Sequence, residues 1–255
     1  MTNFETFSQL HRQADPFLLA NAWDAHSAVL FEASGYKATG TSSQALATAL
    51  GYTDGEQLPF SLLLQSVKKM AASVGIPFTT DLEGGYSRSI EGITENISKL
   101  YDAGVAGINL EDTVPGIARS LQPADVFEKI IAGVANYTSR NNVKIFLNIR
   151  TDAFLLGMPN AVTETLERIK RYELAGADGI FTPCITLSND IKQVVQETRL
   201  PVNVMCMPGL PGFDELQALG VKRISMGPFF FNKVYENIRT LSDAIAGKKD
   251  FSAIL

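Results

Sequence analysis

Short apolar runs alternate with segments of helical periodicity along nearly the whole chain. The runs at 16–23, 37–44, 76–80, 105–110, 143–149, 178–182, 201–205 and 222–226 have the length and composition of buried strands. Between and around them, apolar residues recur at helical spacing over 3–13, 25–34, 61–73, 89–103, 123–139, 160–175, 188–198, 212–219 and 229–246. The punctuation agrees with the periodicity. Asp24 is placed to cap the helix that opens at Ala25, and Gly35 to end it. Pro123 suits the first turn of a helix. Ala103-Gly104-Val105, Ala175-Gly176-Ala177 and Leu219-Gly220-Val221 each read as a glycine stop that leads straight into a buried strand.

Strands alternating with helices imply a parallel sheet. About eight strand–helix units in 255 residues fit an α/β TIM-type barrel. A doubly wound open sheet is the runner-up, but no G-x-G-x-x-G follows the first strand. No linker, low-complexity segment or charge run divides the chain, so residues 1–255 are expected to form a single domain.

Composition narrows the function classes. The chain is 45% hydrophobic with a formal net charge of -5, which argues against a basic nucleic-acid surface. A local cation could still bind an anionic substrate. Cys184 and Cys206 build no disulfide framework and have no metal-type spacing. Without a bilayer-length apolar run or a signal-like start, no membrane partner is expected and the expected location is the cytoplasm.

The candidate chemistry gathers where strands end. The third run ends in Asp81-Leu82-Glu83-Gly84-Gly85-Tyr86, and the fourth in Glu111-Asp112. Neighbouring strands thus bring carboxylates to one end of the sheet. Such acids could simply cap the next helices. Two acidic strand ends in succession, one beside Gly-Gly, instead suggest a hard cation such as Mg²⁺ held by oxygen ligands. Thr41, Ser42, Ser43 and Gln44 follow the second strand, and Asn148, Arg150 and Asp152 close the fifth. Asn203 on the seventh is expected to face inward. A cation and Arg150 together would hold a small carboxylate such as a 2-oxo acid, with Ser42 and Ser43 completing the cradle. A chelated 2-oxo acid is primed to form an enolate. His11 is expected at the surface, His26 in a packing or capping role, and the cysteines in the core.

These segments taken together (Asn21-Ala22-Trp23-Asp24, Ser42-Ser43, DLEGGYS, GINLED, NIRTD, NVMCMPG and GVKRISMG) resemble the phosphoenolpyruvate mutase and isocitrate lyase superfamily over nearly the whole chain. The resemblance implies an α/β barrel whose last helix is often exchanged between subunits, hence a homodimer or homotetramer. It implies Mg²⁺-dependent, or Mn²⁺-dependent, making or breaking of a C–C or P–C bond beside an enolpyruvate-like intermediate. Carried over residue by residue, Asp81 is the main metal ligand, and Glu83 and Glu111 hold metal-bound waters. Arg150 pairs with the substrate carboxylate. Ser42, Ser43 and Gln44 cradle the same end, and Asp54 stands in the wall of the site. Tyr86 is a candidate hydroxyl donor near the metal, and Asn203 a further substrate contact.

Three departures from the pattern matter. Glu83 and Ser87 stand where the family has aspartate and glycine. The stretch Thr113 to Leu121 has no cysteine or histidine, so the lyase Lys-Lys/Arg-Cys-Gly-His loop and its general acid are absent. The lysine and asparagine of the mutase loop are also missing, and Arg119, the one charged residue there, is expected to be solvated. The expected activity is a Mg²⁺-dependent carbon–carbon lyase of a small 2-oxo or 2-hydroxy carboxylate. The alternatives are a phosphonopyruvate-type mutase or hydrolase, and an oxo-acid-binding barrel without turnover.

Overall fold

A computed structural model describes residues 1–114 and 119–255. The chain runs through α1 (Asn3–Leu10), β1 (Phe17–Ala22), α2 (Ala25–Ala33), β2 (Ala38–Thr41), α3 (Ser43–Ala49), α4 (Phe60–Ala72), β3 (Phe78–Asp81), α5 (Ile90–Asp102) and β4 (Gly107–Glu111). A two-stranded excursion, β5 (Thr113–Val114) and β6 (Ser120–Leu121), precedes α6 (Ala124–Arg140). The chain then continues through β7 (Phe146–Arg150), α7 (Ala161–Ala175), β8 (Gly179–Phe181), α8 (Ser188–Glu197), β9 (Val202–Met205), α9 (Phe213–Leu219), β10 (Arg223–Ser225) and α10 (Phe229–Lys248).

Eight parallel strands close into a barrel in the order β1-β10-β9-β8-β7-β4-β3-β2, with helices between them. The expected TIM-type fold is therefore present, and the open sheet is excluded. The strands are buried on both faces, which is why they read as continuous apolar runs rather than alternating ones. Their outer faces pack against amphipathic helices through Leu63, Val67, Ile93, Ile97, Phe127, Ile131 and Ile169. Each such side chain contributes roughly 1.5–3 kcal/mol when fully buried.

Two elements were not legible. The second strand was expected to run to Gln44, yet it ends at Thr41 and Ser42 caps a helix over Ser43–Ala49, its hydroxyl accepting from Ala45 N–H at 3.3 Å. That local bond turns the chain at the barrel mouth. The antiparallel β5–β6 pair was expected to be plain loop. Pro115, Gly116, Ile117 and Ala118, the middle of the stretch without the family's cysteine, lie outside the described residues.

The N-terminal end of the barrel is closed by α1. Phe7, Phe17 and Phe146 pack there with His11, which is only 2% exposed rather than at the surface as expected. Its ring stacks on Phe146 at 4.2 Å and meets Phe7 and Phe17 edge-on. The amphipathic α1 carries one polar ring inward because that ring can satisfy one nitrogen locally, with Nδ1 on the Phe7 carbonyl at 2.9 Å. Burial holds the imidazole pKa down, at about 3, and the nearby Arg223 charge adds to the effect. Among the described residues no helix is long and apolar enough to cross a membrane.

Candidate active site

Parallel closure puts the C-terminal ends of all eight strands on one face. A cavity of about 300 Å³ opens there. Ser42, Ser43, Gln44, Asp54, Asp81 and Arg150 line it, so six of the expected residues meet in one place. A larger, more open groove of about 880 Å³ runs past α1 at the opposite end of the barrel, where no carboxylate cluster stands.

Arg150 organises the mouth. Its Nε and Nη2 donate to the two oxygens of Asp152 at 2.6 and 3.0 Å. Its Nη1 lies 2.9 Å from Glu111 Oε2 and 3.7 Å from Asp81 Oδ2. Asp152 is thus the residue that sets Arg150, through a bidentate pair whose geometry suits a guanidinium. The signal was available in NIRTD, where the acid follows the arginine by two residues at a strand end. Asp152 is itself held by Asp112, which accepts its N–H at 3.1 Å. Asp112 also accepts from Arg168 Nη1 at 3.2 Å and the Tyr172 hydroxyl at 2.9 Å. Burial raises the Asp112 pKa to about 6 against the pull of Arg168. This acid is structural and does not reach the cavity.

Asp81 Oδ2 accepts from the Ser43 hydroxyl at 2.9 Å, while its Oδ1 is buried with no partner among the described residues. Burial raises the pKa of Asp81 and of Glu111, and Arg150 opposes the rise in both. Glu83 stands just behind the cavity wall. It accepts from Tyr86 OH and from Glu56 N–H, each at 2.8 Å. Burial, with the Asp54 and Asp81 charges nearby, lifts its pKa to about 7. Glu83, Tyr86, Glu56 and Cys184 all have positive φ, between 51° and 65°. Such backbone strain gathers where a site imposes it. Gly85 adopts φ 98° with the Ile93 side chain pressed where a Cβ would stand, so only glycine makes that turn.

Among the described residues, no three Asp, Glu, His or Cys side chains converge as a ready metal cage. A hard cation with few protein ligands and several waters does not need one. The orphaned Asp81 Oδ1, flanked by Ser43 and backed by Glu83 and Glu111, is a donor set of that kind. The residues therefore fit Mg²⁺ with Asp81 as direct ligand.

Several expectations need correction. Tyr86 does not line the cavity; its hydroxyl donates to Glu83 at 2.8 Å. Asn203 is fully buried below the cavity and donates to Asn148 Oδ1 instead of facing a ligand. Arg119 is not simply solvated: it lines the cavity and pairs with Asp54 at 2.7 Å. Cys184 lines the cavity rather than the core. Asn109, Met205, Met207 and Asn232 also line it; the first three lie on or just past strands, and Asn232, on α10, carried no signal.

Known proteins share this architecture. A solved Burkholderia cenocepacia J2315 protein, provisionally named a phosphonomutase, is 34% identical, with a TM-score of 0.90 over 94% of this chain and 99% of its own. A phosphonopyruvate hydrolase solved with oxalate and Mg²⁺ has a TM-score of 0.88 over 100% of this chain and 90% of its own, but at 21% identity that likeness concerns the fold alone. An uncharacterised protein of Mycobacterium tuberculosis strain H37Rv is 33% identical over 87% of this chain and 81% of its own. An oxaloacetate decarboxylase of Paraburkholderia xenovorans strain LB400 is 28% identical over 80% of this chain and 67% of its own. The sequence profile of one family, phosphoenolpyruvate phosphomutase, spans residues 7–246, which include the closed barrel and every residue lining its mouth. The chain belongs to the phosphoenolpyruvate phosphomutase family.

Proposed function

We propose that this protein is a Mg²⁺-dependent carbon–carbon lyase of a small 2-oxo or 2-hydroxy carboxylate, acting through an enolate. The observation that carries the reading is the orphaned Asp81 Oδ1 beside Arg150 at the barrel mouth. The similarity to an oxaloacetate decarboxylase supports the same class of bond cleavage. When bound, the ion supplies Lewis-acid uptake of the charge that develops on the substrate oxygen. Arg150, locked by Asp152, orients the carboxylate end. Ser42, Ser43 and Gln44 border the same end. Arg119 and Asp54 stand at the wall where the second half of the substrate would enter. A pre-set guanidinium and a narrow cavity hold the scissile bond in one orientation.

The test is calorimetric titration of oxalate, a mimic of pyruvate enolate, with and without Mg²⁺, on the native protein and on Asp81→Ala. Binding that needs Mg²⁺ and disappears in the variant is the expected outcome. No binding under either condition sinks the half-site, and the barrel without turnover becomes the better reading.

A phosphonopyruvate-type mutase or hydrolase is the second reading, favoured by the similarity to the Burkholderia protein. Phosphorus NMR of products from phosphonopyruvate separates it from the lyase. We also propose a cytoplasmic homodimer or homotetramer. The support is the apolar row Val234, Tyr235, Ile238 and Leu241, each at least 39% exposed on α10. A monomeric mass by light scattering would refute that.

A further inference from the structure

Arg223 is the largest fully buried side chain, 1% exposed, and it projects from β10 into the barrel. The other buried guanidiniums have acids: Arg150 has Asp152 and Glu111, and Arg168 has Asp112 and Glu164. Among the described residues Arg223 has none within 4.0 Å, and its Nε and Nη1 have no hydrogen-bond partner. A buried charge without a counter-charge is expensive. Its one polar contact is Nη2 to Asn109 Oδ1 at 3.0 Å.

That contact determines which way the Asn109 amide faces. A guanidinium carries donors only, so the amide atom it meets is the oxygen. Asn148 Nδ2 donates to the same Oδ1 at 2.8 Å. Asn148 Oδ1 in turn accepts from Asn203 Nδ2. Gly179 gives this ladder its room, because a Cβ there would stand 2.8 Å from Asn148 Oδ1. With its oxygen engaged by two donors, Asn109 is left its amide nitrogen for the cavity that it lines. The hydrogen bonds run in one sense, from Asn203 to Asn148 to Asn109, and the positive charge at the Asn109 oxygen strengthens its N–H as a donor.

We propose that Arg223 is a positioning residue, which turns and polarises the Asn109 amide as a hydrogen-bond donor to the substrate oxygen on which negative charge develops. The assignment of that oxygen rests on the enolate half-site proposed above. A donor aimed beforehand at a developing oxyanion acts without reorganisation during the reaction.

Three variants test it, each compared with the native protein in thermal stability, in oxalate affinity with Mg²⁺, and in the side-chain amide NMR signals of Asn109. Arg223→Met is expected to keep or raise the melting temperature, since it removes an unpaired buried charge. It should weaken oxalate binding roughly ten- to a hundredfold. Asn109→Asp should raise the melting temperature by pairing Arg223, yet weaken oxalate at least as much. It also identifies the Asn109 signals by their loss. Arg223→Lys should restore part of the affinity lost in Arg223→Met.

A fall in melting temperature with unchanged affinity in Arg223→Met would leave Arg223 a packing role and overturn the proposal. If native protein binds no oxalate, the half-site reading falls, and the ligand-free NMR arm still decides this one. Asn109 amide signals that stay in place in Arg223→Met refute the positioning. If Arg223→Met does not fold, the same signals are read in Arg223→Lys, where no shift is again the refuting result.

Discussion

At the N-terminal end of the barrel, His11 is sandwiched among Phe7, Phe17 and Phe146 and has no acid beside it. At the C-terminal end, Arg150 touches three carboxylates in a similarly buried setting. Both ends bury ionisable groups, but they meet the cost differently. The lower end gives up the charge: burial keeps the imidazole neutral. The upper end keeps its charges and pairs them, leaving an oxygen of Asp81 and one of Asp54 without a partner among the described residues. Among the same residues the lower end also leaves a buried acceptor unmet, His11 Nε2, but on a neutral ring, whereas the unmet oxygens of the upper end belong to carboxylates that line the cavity. Four of the positive-φ residues, Glu56, Glu83, Tyr86 and Cys184, belong to the upper end, while Asn142 and Lys249 adopt such values just past the ends of helices.

Substitutions at the two ends should therefore separate stability from function. The largest functional effect is expected for Asp81→Ala, with turnover and Mg²⁺-dependent oxalate binding lost by about a thousandfold or more. Relief of the burial cost should leave the melting temperature level or higher. Arg150→Lys should come next, lowering kcat/KM by about a hundredfold, because an ammonium cannot form the paired contact with Asp152. Steady-state kinetics with the cognate oxo acid measures both.

At the lower end, Phe7→Ala should cost about 3–5 kcal/mol of stability in urea titrations while kcat/KM stays within about twofold. A comparable loss of activity would erase the division of labour between the ends.

His11 gives the pH counterpart. Its folded pKa lies below the unfolded value of 6.5, so as pH falls below 6.5 the unfolded chain takes up the proton first. The stability this neutral ring provides is complete above pH 6.5 and drains away toward about pH 3. About 2–3 kcal/mol of it should be gone at roughly pH 4.5. His11→Phe keeps a ring in the plug and should flatten the curve over that range. Equal slopes in the two proteins would show that the plug is not where acid acts.

The smallest effect is expected for Arg119→Gln at the cavity wall. Its pair with Asp54 is partly exposed and should contribute no more than about 1 kcal/mol to stability. A change beyond twofold in KM, with kcat unchanged, would indicate that the pair also screens the entering substrate.

Much of this was legible because local physics is periodic. The apolar runs, the glycine stops and the acids at 81, 83 and 111 announced a barrel with carboxylates at one mouth, and closure of eight parallel strands did the rest. Helix α3 stayed hidden because it is short and follows the strand directly, with no glycine or proline to mark the boundary. His11 was misplaced because hydropathy does not register a ring that satisfies one nitrogen within its own helix. Arg119 and Asp54 lie 65 residues apart, and nothing local announces such a pair.

By itself the sequence determined the alternation of elements, the strand ends at which chemistry could sit and the charge types available there. Only the tertiary structure decided which charges are met: Arg150 by Asp152, Asp112 by Arg168 and Tyr172, and Arg223, among the described residues, by an amide alone. The reason is physical. Period and propensity act over a few residues along the chain. Desolvation and pairing depend on distances across the barrel, and those exist only once it has closed.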